Sequence, residues 1–189
     1  MNWIEPVAVA TGIIAVFLQV RQHIWNWPVA LINVALYFIV FRDSKLYADM
    51  GLQVVYFVLS LYGWYEWLYG GENRTELHVS RAPPALGLRL MMIGIACAVV
   101  LGTLLARFTD AALPYIDSAT TSTSLVAQWM MTRKILENWA VWVAVDVVYI
   151  AMFIFKRLYL TAGLYAVFLV LAVMGYVQWK RSLAEHSLA

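Results

Sequence analysis

Trp139, Trp142, Asp146 and Tyr149 follow one another at the three- and four-residue steps that place side chains on one face of a helix, and Asn138 joins that stripe four residues before Trp142. Asn26, Asn33 and Tyr37 make a second such face, and Asp49, Gln53, Tyr56 and Ser60 a third. These residue types suit binding better than bond-making. Indole faces attract flat rings, and cationic rings most strongly, through the ring quadrupole. Carboxamides and carboxylates suit hydroxyls and amides. An aromatic ring joined to a ribose satisfies both groups. A plain sugar needs fewer stacking faces, and an ion needs a denser set of oxygens. Catalysis is not indicated: His23, His78 and His186 fall in loops or the tail, and no nucleophile, base and orienter converge. No cofactor or metal is implied.

The elements that carry these faces must be membrane helices. Hydrophobic residues make up 63% of the 189-residue chain and charged residues 13%, against roughly 45–50% and about 25% in ordinary globular chains. A soluble fold of this size cannot bury so much apolar surface. One cysteine, Cys97, excludes a disulfide scaffold, and a net charge of +2 without a basic block implies no nucleic-acid groove. Seven apolar stretches are long enough to span a bilayer, at about 4–22, 27–42, 46–69, 86–107, 117–133, 137–155 and 158–181. The fifth opens on a run of hydroxyl residues, tolerable inside a bundle where they bond to helix backbone. The first lacks the positive start of a signal peptide; its early charge is Glu5. Residues 70–84 read as an exposed linker.

Shifting the chain by 112 positions lays the first three spans on the last three without a gap. Arg21 meets Arg133, Asn26-Trp27 meets Asn138-Trp139, Tyr37 meets Tyr149, Phe41 meets Phe153, Gly63 meets Gly175, and Trp67 meets Trp179. In the same register Tyr165 stands where the first copy has Gln53. The expected architecture is all-α: two parallel three-helix repeats, 4–69 and 117–181, joined by one linker helix, 86–108. An odd-numbered unit needs that linker for both copies to face the same way. Parallel repeats place a substrate site near midplane at their interface.

Polar side chains at membrane depth cost free energy unless paired or wet, so each is a candidate for the site. Asn33, Asn138 and Gln53 could also serve as interhelical glue. Trp67, Tyr69 and Trp179 read as interface anchors. Arg21, Arg42, Arg133, Lys134 and Lys156 read as loop charges. Asp49 can cap its helix or pair with Lys45, and Cys97 reads as packing. Gly63 and Gly175 permit close helix approach. Asp146 stands apart, because a deep ion pair would need a cation that the spans do not supply. Eight Lys and Arg on one side against five on the other place the N-terminus outside and the C-terminus in the cytoplasm. An ATP-driven pump lacks its Gly-rich loop here. A proton-coupled carrier could use Asp146 as a relay.

Three stretches also resemble a known family. They are Asp49-x3-Gln53-x2-Tyr56-Phe57-x4-Tyr62-Gly63-Trp64-x2-Trp67, Asn138-Trp139-x2-Trp142-x3-Asp146-x2-Tyr149, and the Gly-Tyr-x2-Trp ending that runs from Gly175 to Arg181. Together they resemble the PnuC family of bacterial vitamin transporters, similar in plan to the SWEET sugar transporters. The resemblance implies uptake of nicotinamide riboside across the inner membrane by facilitated diffusion, with a cytoplasmic kinase trapping the vitamin. Thiamine and riboflavin are the alternatives within the family. It further implies that Trp139 and Trp142 stack on the ring and that Gln53 and neighbouring Asn side chains hold the polar parts, in a homotrimer. The expected site is therefore Trp139, Trp142, Gln53, Asn33, Asn138, Asp146, Tyr56, Tyr149 and Tyr165.

Overall fold

A computed structural model describes residues 3–43, 47–108, 114–155, 157 and 159–186. Seven α-helices run through these residues: α1 (Ile4–Val20), α2 (Asn26–Asp43), α3 (Tyr47–Tyr69), α4 (Pro84–Phe108), α5 (Pro114–Thr132), α6 (Asn138–Phe155) and α7 (Tyr159–His186). The chain is an all-α membrane protein. By length and apolarity alone, α4, α6 and the Thr161–Glu185 stretch of α7 are sufficient to cross a bilayer, while the apolar Pro6–Val20 stretch of α1 is shorter. Proline opens α4 and α5, where its missing N–H costs nothing. Lys45, Lys156 and the side chain of Asp49, each given a sequence-based role above, lie outside the described residues.

The contacts recur at the 112-residue offset. The α1–α2 turn bends through Gln22 at φ 53° and the α5–α6 turn through Lys134 at φ 48°, both in the left-handed region. The Asn26 amide donates to His23 O, and the Asn138 amide donates to Ile135 O. Each asparagine thus fastens the turn before its own helix. Tyr37 stacks on Phe41 (5.6 Å, 26°) as Tyr149 stacks on Phe153 (5.8 Å, 18°). Trp67 Nε1 donates to Met131 O at 3.1 Å, while Trp179 Nε1 donates to Gln19 O at 3.1 Å. These two bonds exchange places under the offset, each tying one trio of helices to the other.

The core sits at that end of the bundle. Trp27, Trp67, Trp179 and Trp139 touch edge to face in a chain, with centroids 5.2, 5.9 and 5.4 Å apart. Edge-to-face contact sets a ring's positive rim against its neighbour's negative face. The reading of Trp67 and Trp179 as interface anchors is corrected here: they are 2% and 0% exposed. Tyr69 is half exposed. Gly63 and Gly175 make the cluster possible, since a Cβ at Gly63 would fall 2.2 Å from the Trp27 ring and one at Gly175 2.5 Å from the Trp139 ring.

The linker after α3 is docked rather than free. Ser80 N donates to Lys134 O, Leu136 N donates to Ser80 O, and Ala82 N donates to Glu137 Oε2. Four of the loop cations have partners: Arg42 pairs with Asp43 at 3.1 Å, and Arg21 lies 5.4 Å from the Phe17 ring centre. Arg133 pairs with Glu66 at 2.7 Å and donates to Tyr62 Oη, and buried Lys134 places Nζ 4.5 Å over the Trp67 ring. On α5, Thr120 bonds to Ile116 O and Ser118 to Tyr115 O of their own helix, while the buried Ser122 and Ser124 hydroxyls have no partner among the described residues. Helix α4 turns Met91, Met92, Ile95 and Val99 outward, an apolar face suited to lipid. Cys97 is exposed on this helix and is not a packing residue.

Candidate substrate cavity

Every helix except α4 contributes to a cavity of about 610 Å³ between the two trios. It begins beneath the tryptophan cluster, at Gln19, Met131 and Trp139, and runs to Phe41, Phe153 and Thr161. From Ala30 to Phe41 along α2 that is roughly 16 Å at the helical rise. Of the four clustered tryptophans, Trp139 reaches its lining. The volume falls within the range of about 300–1,000 Å³ typical of small-molecule sites.

Helix α6 supplies Trp142, Asp146 and Tyr149 to the wall because they lie one turn apart on one face. Trp142 is half-buried, whereas Asp146 is 3% exposed. Tyr149, Tyr165 and Phe153 form an aromatic slab, with centroid separations of 4.7 Å for Tyr149–Tyr165 and 5.2 Å for Phe153–Tyr165. Phe168 meets Tyr165 edge-on. Across the cavity, α2 and α3 present Asn33, Gln53, Tyr56 and Ser60. The Asn33 Nδ2 is committed to Ala8 O and Thr11 Oγ1, which leaves Oδ1 to accept a bond from a ligand.

Eight of the nine site residues expected from the sequence line this one cavity: Trp139, Trp142, Gln53, Asn33, Asp146, Tyr56, Tyr149 and Tyr165. Asn138 does not and is corrected. It is fully buried behind the wall, its amide spent on the α5–α6 turn. Trp139 reaches the cavity but is 1% exposed, its ring held against Trp179 and Gly175. It offers far less of an indole face than Trp142. Sequence reasoning missed Gln19, Ser124, Phe41, Phe153 and Phe168 as lining residues. Phe41 and Phe153 carried a signal, because they coincide in the repeat register; Ser124 was lost among the α5 hydroxyls.

A seven-helix membrane bundle with an aromatic, amide-lined cavity between two similar trios is a carrier of small molecules. A family profile described as "Nicotinamide mononucleotide transporter" matches residues 2–181, and the chain belongs to that transporter family. It is 30% identical to the nicotinamide riboside transporter PnuC of Escherichia coli, over 98% of this chain and 88% of that one. It is 26% identical to the riboflavin/roseoflavin transporter RibM of Streptomyces davaonensis, over 94% of this chain and 84% of the other. A crystal structure of the vitamin B3 transporter PnuC superposes with a TM-score of 0.75 at 29% identity, covering 97% of this chain and 83% of that one.

Proposed function

We propose that this protein carries nicotinamide riboside across the bacterial inner membrane by facilitated diffusion. The observation that carries the reading is the cavity itself: a half-buried indole and aromatic rings from both trios stand beside the amides and hydroxyls of Asn33, Gln53, Ser60 and Gln128. A flat ring lies on the aromatic faces, and a ribose and carboxamide bond to the polar groups. The names of the relatives from Escherichia coli and others support the same ligand. The family description speaks of the mononucleotide, but no Lys or Arg lines the cavity among the described residues, so a phosphate would meet no cation and an acid instead. That favours the riboside. The same chemistry disfavours return of a phosphorylated product, which fits trapping by a cytoplasmic kinase.

Three finer features belong to the proposal. The chain is organised as two parallel three-helix repeats around a linker helix, supported by the contacts that recur at 112 residues. It assembles as a homotrimer, as the family resemblance implies. Its N-terminus is outside and its C-terminus cytoplasmic, which puts the tryptophan end inside. The riboflavin relative favours a second reading, an aromatic vitamin other than nicotinamide riboside. Titrating the purified protein with nicotinamide riboside, thiamine and riboflavin side by side decides between them. Tightest binding of the riboside supports the proposal, and tightest binding of riboflavin or thiamine replaces it.

A further inference from the structure

We propose that Asp146 is the specificity determinant of the cavity, selecting a vitamin whose ring carries a positive charge and holding that ring against α6. This deepens the preceding proposal and rests on it. Asp146 is buried, lines the cavity, and is the one charged side chain to do so among the described residues. No ion pair meets it among those residues. A buried carboxylate in a membrane bundle without a fixed cation is costly. The cost is relieved when the ligand brings the cation.

The repeat register says on which wall this happens. Where α6 has Trp142 and Asp146, α2 has Ala30 and Val34. Where α2 and α3 have Asn33, Tyr56 and Ser60, the second trio has Val145, Phe168 and Ala172. Positions that correspond in the two copies thus differ in chemistry. The indole and the acid stand on one wall, one helical turn apart, and most of the amides and hydroxyls stand on the other. A cationic ring stacked on Trp142 brings its charge to Asp146, while its sugar and carboxamide turn toward α2 and α3.

The test compares nicotinamide riboside with benzamide riboside, a neutral ring of the same shape, by equilibrium dialysis on the purified full chain. Wild type should bind the cation at least about tenfold more tightly. Asp146→Asn should lower that ratio at least about fivefold by losing affinity for the cation alone, leaving the share that the Trp142 ring supplies, and Asp146→Glu should keep it. Comparing two ligands on one protein cancels any loss of folded material. Should Asp146→Asn fail to fold, Asp146→Ser takes its place with the same two outcomes. A wild-type ratio near one, or a ratio preserved in Asp146→Asn, overturns the proposal while leaving vitamin carriage standing. Binding of neither riboside by folded wild type overturns the nicotinamide riboside reading itself.

Discussion

Trp139 and Trp142 have the same residue type, share one helix and touch the same cavity, yet their replacement by Ala should do different things. Trp142 is half-buried and lines the cavity. Removing it deletes a stacking surface worth about 2 kcal/mol for a cationic ring in a desolvated site, or roughly thirtyfold in Kd. The fold loses little, because Trp142 only flanks the core. Trp139 is 1% exposed, packs edge to face on Trp179 at 5.4 Å, and fills the space that Gly175 leaves open. Trp139→Ala should therefore cost about 3–5 kcal/mol of stability. The assay is calorimetric titration with nicotinamide riboside beside thermal unfolding of each purified variant. Trp142→Ala should keep its unfolding temperature within a few degrees while its Kd rises. Trp139→Ala should unfold far earlier. A stable Trp139→Ala protein that has lost binding, or a Trp142→Ala protein with unchanged Kd, would refute the assignment of the two indoles.

Two further outcomes test the scaffold. Gly63→Ala should destabilise the protein by about 1–3 kcal/mol or more, because the new methyl meets the Trp27 ring on three atoms between 2.2 and 2.7 Å away; an unchanged unfolding temperature contradicts the close approach. Lys134 lies in the α5–α6 turn outside the spans, where burial pushes its ammonium down from an ordinary 10.5 to about 8 against the pull of Glu76. The unfolded chain holds this proton up to about 10.5 and the folded chain releases it near 8, so stability should rise between these pH values, by up to about 3 kcal/mol. The rise should be missing from Lys134→Met; chemical unfolding at pH 7.5, 9 and 10 measures it.

Much of the fold is legible in the sequence because bilayer thickness imposes a length on apolar stretches, and all seven helices stand close to where hydropathy places them. The cavity wall is legible for a similar reason: Trp142, Asp146 and Tyr149 are polar or aromatic at one helical period in an apolar background. What the sequence hides is direction across the bundle. Asn138 belongs to the same helical stripe as Trp142, but its position at the helix start commits its amide to the preceding turn. Trp67 sits at the end of α3 and Trp179 near the end of the apolar stretch of α7, where a tryptophan is expected at the lipid interface. Only the crossing bonds to Met131 O and Gln19 O reveal them as core, and a backbone carbonyl leaves no mark in the sequence. The docking of residues 80–82 onto the α5–α6 turn is hidden likewise, since the bonds run mainly through backbone.

The central claim is that the cavity between the trios passes nicotinamide riboside without an energy source. Exchange of labelled nicotinamide riboside between the inside and outside of liposomes holding the purified protein, with no ion gradient and at several pH values, tests it most directly. The account predicts two-way exchange that follows the vitamin gradient alone and is unchanged when a proton gradient is collapsed. Exchange that stops without a proton gradient, or none above protein-free liposomes, would contradict it.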